Sequence, residues 1–318
     1  MSSSTTTPTT TPTLTVTAPK AGPGTASFAV DPDLPRKKPS LTHYLMVIPP
    51  VLLFTLFIIV PAIQGAFYSF TNYAGYGAWH TVGLANYRAM FDDPAIRKAY
   101  GFTFLFGVVT TVVVNVVALF PAVLLNSKIR WPNWWRGVYF LPMVLSGLVV
   151  AFCFQYLLNQ SIPRFIHWGP LGSGLLSNEK WAWTGVVFVT AWIAFPSAVI
   201  IYLAGLSSIG SEIYEAGELD GAKPTAQFRR LTLPLLAPFI IINTVLGLKG
   251  LLGAYDIIVG LTGGGPSGAT TSISMSIVNT INNSDFAYGS AQAMVFFLVT
   301  IVLSLLQLLL VKKIGKKS

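Results

Sequence analysis

Residues 212–238 read EIYEAGELDGAKPTAQFRRLTLPLLAP, a dense polar and charged stretch set between two long apolar segments. Glu212 to Leu219 contains good helix formers, and helical spacing puts Ile213, Ala216 and Gly217 on one face with Glu212, Glu215 and Glu218 around the rest. Gly221 supplies a residue able to take φ > 0 at a sharp turn. Pro224 suits the first position of a second short helix, and Pro234 the first position of the apolar helix that follows. The stretch therefore predicts a helix, a glycine turn and a second helix lying across a membrane surface. Taken alone it reads equally well as a solvated connector, so the flanking chain has to decide.

The flanks are those of a membrane protein. Of 318 residues 53% are hydrophobic and 10% charged, with mean hydropathy +0.64, whereas a soluble domain carries about 25% charged residues. Six segments reach the roughly 20 apolar residues that cross a bilayer, near Tyr44–Phe70, Thr103–Leu125, Val138–Leu158, Ala182–Leu206, Leu236–Leu261 and Tyr288–Val311. The expected fold is an all-α polytopic membrane protein in which Pro49, Pro61, Pro121, Pro142 and Pro196 kink or end helices. Residues 1–40 are rich in Ser, Thr and Pro, lack aliphatic clusters and predict a disordered tail without the apolar region of a signal peptide. The transmembrane domain is expected over 41–318.

The formal charge of +9 does not form a nucleic-acid patch, because the basic residues flank apolar segments. With the amino terminus inside, fourteen of the twenty Lys and Arg fall in inner segments, among them Arg36–Lys38, Lys128, Arg136, Lys223, Arg229, Arg230 and the terminal lysines. Five lie outside: Arg88, Arg97, Lys98, Arg164 and Lys180. The positive-inside bias places both termini and the opening stretch in the cytoplasm.

Outside, GLANYRAMFDDP follows an aromatic group (Tyr73, Tyr76, Trp79), and Asp92 or Asp93 can cap a short helix starting at Pro94. TGGGPSGATTS, in the third outer loop, is too glycine-rich for a regular element and is either mobile or a place of close backbone approach. Lys249 and Asp256 lie inside the fifth span, seven residues apart and so on one helical face. Ionisable groups at that depth line a solute path or form a structural pair, unless Asp256 is near enough to the outer end to be wet.

Enzyme signatures are missing: HExxH, GxSxG and cysteine/histidine ligand spacings do not occur, Cys153 is the one cysteine, and no metal site is expected. There is no GxxxxGK[ST] phosphate loop, and the terminal GKKS has the wrong order for one. Uphill transport powered by ATP would therefore need a separate ATPase.

EAGELDGA followed by FRRLTLP resembles the EAA loop of permease subunits of binding-protein-dependent ABC importers, through Glu215, Ala216, Asp220, Gly221, Ala222, Phe228, Thr232, Leu233 and Pro234. Gly217 departs from that pattern, which has alanine there, at a helix cost of about 1 kcal/mol. RGVYFLPMVLS, AWIAFPSAVIIYLAGLSSIGSEIYEAG, AYDIIVGLTGGGP and FAYGSA extend the resemblance, in order, to the branch containing the maltose, multiple-sugar and glycerol-3-phosphate permeases. The resemblance implies a type I ABC importer permease fold, a non-enzymatic subunit, and residence in a bacterial or archaeal inner membrane. It implies as partners a second homologous permease, two cytoplasmic ATPases holding ATP and magnesium, and an extracytoplasmic solute-binding protein. It makes 212–234 the ATPase-coupling loop, with Glu212, Glu215, Ala216, Gly217, Asp220, Gly221, Ala222 and Pro234 as its residues. The fifth-helix sugar contacts of the maltose permease fall, without gaps, on Gly247, Gly250, Leu251 and Ala254, none of which offers a hydrogen-bonding side chain. So the solute differs, the contacts have moved to Trp192, Lys249, Tyr255 or Asp256, or the partner permease carries specificity. The cargo is expected to be an oligosaccharide or other sugar, with glycerol phosphate or another anion as the alternative; a stand-alone secondary transporter is the rival outside this class.

Overall fold

The computed structural model describes residues 41–126 and 131–315; the tail predicted over residues 1–40 lies outside the described residues. The chain divides into two compact units, Met1–Leu53 and Phe54–Ser318. Of the first, the described part belongs to helix α1 (Leu41–Phe54), whose apolar side chains from Leu45 onward are exposed.

Every regular element of the second unit's described residues is helical, apart from a bridge between Thr71 and Thr81. The elements are α2 (Val60–Tyr68), α3 (Ala85–Asp92), α4 (Pro94–Asn126), α5 (Pro132–Val144) and α6 (Gly147–Tyr156). After these come α7 (Ile162–Phe165), α8 (Gly169–Gly172), α9 (Ala182–Ser207), α10 (Ser211–Leu219), α11 (Pro224–Gln227) and α12 (Leu233–Leu235). The last four are α13 (Ala237–Leu252), α14 (Asp256–Thr262), α15 (Ile273–Asn282) and α16 (Phe286–Gly315). Among the described residues, four helical stretches are long and apolar enough to cross a membrane: Leu45–Tyr68, Pro94–Asn126, Ala182–Ser207 and Phe286–Leu309. Two bent pairs, Trp134–Val144 with Gly147–Phe165 (92°) and Pro224–Leu235 with Ala237–Leu252 (60°), raise the number to six when each counts as one span.

The spans differ in what surrounds them. Half of the most apolar window of α9 and 39% of that of α4 are buried, against 6% for Phe286–Leu309 and 0% for Leu45–Tyr68. α4 and α9 are thus the most buried spans, and Phe286–Leu309 leaves most of its Leu, Ile, Val and Phe side chains exposed or half-buried. One apolar cluster joins Phe102 and Phe106 of α4 to Val186 and Val189 of α9, Leu251 of α13 and Ile258 and Leu261 of α14. A second joins Ala118 and Ala122 of α4 to Tyr202 and Leu206 of α9 and to Leu236.

The prolines mark the helix ends only in part: Pro142 stands two residues before the end of α5 at Val144. Pro121 and Pro196 are buried inside uninterrupted helices. The third segment breaks at Leu145 and Ser146, both in extended backbone. The segment expected over Leu236–Leu261 breaks twice. It bends at Leu236, so that Pro238, not Pro234, stands in the first turn of the apolar helix, and it unwinds over Gly253–Tyr255. Pro94 opens the 33-residue α4 itself rather than a separate short helix, with Asp93 Oδ1 accepting from the Ala95 amide at 2.8 Å. The glycine-rich loop after α14 is tied to itself: Thr262 and Thr270 hydroxyls meet at 2.7 Å, and Thr270 also donates to the Gly265 carbonyl at 2.7 Å. Cys153 is exposed on α6.

Candidate functional site

Two features are candidates for function: the polar hairpin 211–235 and a cavity between α4, α9 and α13. The hairpin opens with α10, whose Glu212 lies in the first turn, where a carboxylate is favoured by the free amides. α10 ends in two reinforcing hydrogen bonds, Ala222 N–H to the Gly217 carbonyl and Gly221 N–H to the Glu218 carbonyl, both 2.9 Å. This is a Schellman closure, which requires a left-handed residue, and Gly221 has φ +75°. The return strand of the hairpin is helical from Pro224, passes through a π-turn at Phe228–Thr232 and ends at Leu235. Pro234 has no N–H for the Arg230 carbonyl, and a π-turn just before a proline accommodates that loss.

Glu212, Glu215, Ala216, Glu218, Asp220 and Gly221 are exposed, while Ile213, Gly217 and Ala222 are half-buried. The inner face of α10 is therefore Ile213 and Gly217, and Ala216 stands outside with the carboxylates, not beside Gly217 as the spacing suggested. A β-carbon on Gly217 would stand 3.0 Å from Leu231 Cδ1, so glycine lets the hairpin's two arms pack closely. Tyr214 and Thr232 hydroxyls meet across the same interface at 3.2 Å. Leu219, at the tip, is 90% exposed, an apolar side chain beside acids and a left-handed turn. Sequence reading passed over Leu219, and its signal was an unpaired leucine on the polar side of a short helix.

The cavity has a volume of about 310 Å³. α4 lines it with Thr111, Val114 and Asn115, α9 with Ala194, Ser197, Ala198 and Ile201, and α13 with Asn243, Leu246, Gly247, Gly250 and Leu251. Three of the sequence-predicted path residues, Gly247, Gly250 and Leu251, thus come together. Gly247 leaves room against Thr111, whose Cγ2 would be 3.7 Å from an added β-carbon, and Gly250 has nothing within 4 Å. The polar groups come from positions not singled out beforehand. Asn115 accepts from the Tyr202 hydroxyl and donates from Nδ2 to the Thr111 carbonyl at 2.8 Å. Buried Asn243 donates to the Ala198 carbonyl at 3.1 Å. Isolated Asn and Thr residues in apolar runs were the available sign, since such groups in hydrocarbon need partners.

The other predicted path residues lie elsewhere. Trp192 packs against the first apolar cluster, its ring 5.3 Å from that of Phe154. Ala254 packs against the same cluster, and its carbonyl accepts from Ser272 Oγ at 3.1 Å. Tyr255 sits at the unwound break with φ −132° and ψ −66°, and Asp256 is exposed in the first turn of α14. Lys249 and Asp256 therefore do not share one helical face, because the helix between them ends at Leu252. Neither has an ion-pair partner among the described residues. Lys249 is exposed, three positions from Leu246 and next to Gly250, both of which line the cavity.

Long buried helices, exposed apolar spans and a polar hairpin leading into a cavity helix are the features that a family assignment has to account for. Residues 115–316 match the model of the family described as binding-protein-dependent transport system inner membrane component, and the chain belongs to that family. It is 35% identical to the multiple sugar-binding transport system permease protein MsmF of Streptococcus mutans, over 84% of this chain and 94% of that protein. It is 29% identical to the trehalose/maltose transport system permease protein MalF of Thermococcus litoralis (86% and 93% covered) and 28% identical to the sn-glycerol-3-phosphate transport system permease protein UgpA of Brucella abortus (85% and 94%). Among solved structures, a chain of a bacterial alginate ABC transporter in complex with alginate pentasaccharide-bound periplasmic protein superposes with TM-score 0.71 at 20% identity, over 84% of this chain and 92% of that one. The fold is thus that of an ABC importer permease. The chain is a multi-pass membrane component of a binding-protein-dependent importer, and not itself a catalytic enzyme.

Proposed function

We propose that this chain forms one half of the path of an ATP-driven importer for a carbohydrate, paired with a second permease, two cytoplasmic ATPases and an extracytoplasmic solute-binding protein. Both termini and the hairpin 211–235 are cytoplasmic in this reading, supported by the distribution of Lys and Arg. ATP and magnesium are bound by the ATPases and supply hydrolysis there.

The observation that carries the reading is the hairpin. Its acidic face and Leu219 are exposed, its turn is closed at Gly221, and its second arm bends by 60° directly into the helix that lines the cavity. Glu212, Glu215 and Asp220 offer charged contacts to an ATPase cleft, and Leu219 an apolar one. Ala216 permits close approach, Gly217 and Ala222 hold the arms together, and Pro234 marks the junction with the bend. A hairpin so closed passes on a rigid-body displacement, and the bend delivers it to α13 and the cavity.

In the cavity, Asn115, Ser197 and Asn243 offer hydrogen bonds to hydroxyls, and Gly247 and Gly250 leave the space. Filling that space tests the path: Gly250→Leu should lower solute uptake at least tenfold at unchanged expression, and wild-type uptake by that variant contradicts it. A second reading keeps the class but takes an anionic solute such as glycerol phosphate, favoured by unpaired Lys249 beside the rim. Lys249→Leu would then abolish uptake of the anion, whereas sugar uptake through the same variant would support the carbohydrate reading.

A further inference from the structure

We propose that Arg229 and Arg230, with Thr225, form a binding site for the phosphate of an anionic phospholipid headgroup. A hollow of about 470 Å³ is lined by Thr225, Ala226, Arg229 and Arg230. These positions, spaced i, i+1, i+4 and i+5, fall on one side of the continuous helical run Pro224–Leu235. The other side is occupied: Leu231 and Gln227 face Gly217 of α10. Both arginines are exposed, and neither has a carboxylate partner among the described residues.

The location selects the ligand. The run meets α13 at 60°, and α13 begins at Ala237, about two helical turns beyond Arg230. Exposed Pro234 and Leu235 lie between. Two unpaired guanidinium groups therefore stand where an apolar helix leaves the bilayer, with apolar side chains on the bilayer side. A guanidinium fork binds phosphate oxygens bidentately, and the Thr225 hydroxyl adds a donor. Negatively charged lipid is enriched in the cytoplasmic leaflet, which complements this patch. Assignment to that leaflet rests on the cytoplasmic placement of the hairpin argued above.

The test starts with the purified full chain in native mass spectrometry, in mixed micelles carrying phosphatidylglycerol and phosphatidylcholine. Wild type should retain phosphatidylglycerol preferentially. Arg229→Gln with Arg230→Gln should weaken retention about fivefold per arginine, with an unchanged thermal midpoint confirming that the variant is folded. Equal retention by wild type and variant overturns the proposal. Retention of inorganic phosphate by wild type in preference to phosphatidylglycerol at equal concentration also overturns it, in favour of a soluble phosphate ligand. If the variant keeps the lipid but no longer co-purifies an ATPase, the arginines hold an acidic protein surface and the lipid site is wrong. This readout needs no ATPase, so a failed transport assay with lipid retention intact would sink the proposed function and leave the lipid site standing. In vesicles, the ratio of uptake with phosphatidylglycerol to uptake in phosphatidylcholine alone should exceed one for wild type and fall to one for the variant.

Discussion

Gly221 has a left-handed backbone with open space where a side chain would stand, so substitution there costs conformation and not volume. Gly221→Ala should destabilise the hairpin by about 1–2 kcal/mol, and Gly221→Asn by less, because asparagine tolerates this conformation. Solute-stimulated ATPase activity of the assembled transporter should rank glycine, asparagine, alanine; equal activity in all three would remove Gly221 from coupling. Tyr202 and Asn115 tie α9 to α4 beside the cavity. Tyr202→Phe should cost about 0.6 kcal/mol, the usual worth of such a bond between membrane helices, read as a small fall in thermal midpoint. Gly221 was legible in the sequence because its conformation is a local property of the chain. Asn115 and Asn243 were not, because a polar residue in an apolar run does not reveal which neighbour satisfies it.

At the level of elements, the hairpin and the broken fifth segment show where local rules suffice. The turn grammar of residues 219–224 is local, and the Gly221 turn and the helix start at Pro224 follow from it. The bend at Leu236 has a tertiary cause as well as a local one. Leu236 is fully buried in the cluster containing Tyr202 and Leu206, and a β-carbon on Gly205 of α9 would come within 2.8 Å of Leu236 Cδ2 and 2.6 Å of Phe239. Pro238 has no N–H for the Pro234 carbonyl and opens the new helix locally, and the packing against α9 sets where the chain turns. The second break is held from a distance: Ser272 accepts from the Met275 amide at 3.2 Å and donates to the freed Ala254 carbonyl at 3.1 Å. Ser272→Ala removes a helix cap and leaves that carbonyl without its hydroxyl, for a loss of about 1–2 kcal/mol. Thermal unfolding in detergent measures this, and an unchanged midpoint would show that the hydroxyl does not hold the break.

For the molecule as a whole, apolar length, charge asymmetry and the polar hairpin gave the helical membrane class and the family before any coordinates. What they left open was the cavity, which needs three helices brought together, and the cargo, which depends on groups converging from all of them. Family membership and fold make the chain a component of a binding-protein-dependent importer. The central claim beyond that is that an ATPase drives it through the hairpin. The direct measurement is affinity purification of the tagged chain with its neighbours, followed by ATPase and uptake assays in vesicles with sugar-loaded binding protein added outside. The account predicts a co-purifying ATPase whose hydrolysis the loaded binding protein stimulates, with both co-purification and stimulation reduced by Leu219→Asp. Solute uptake by the chain alone, driven by an ion gradient and indifferent to ATP, would contradict it.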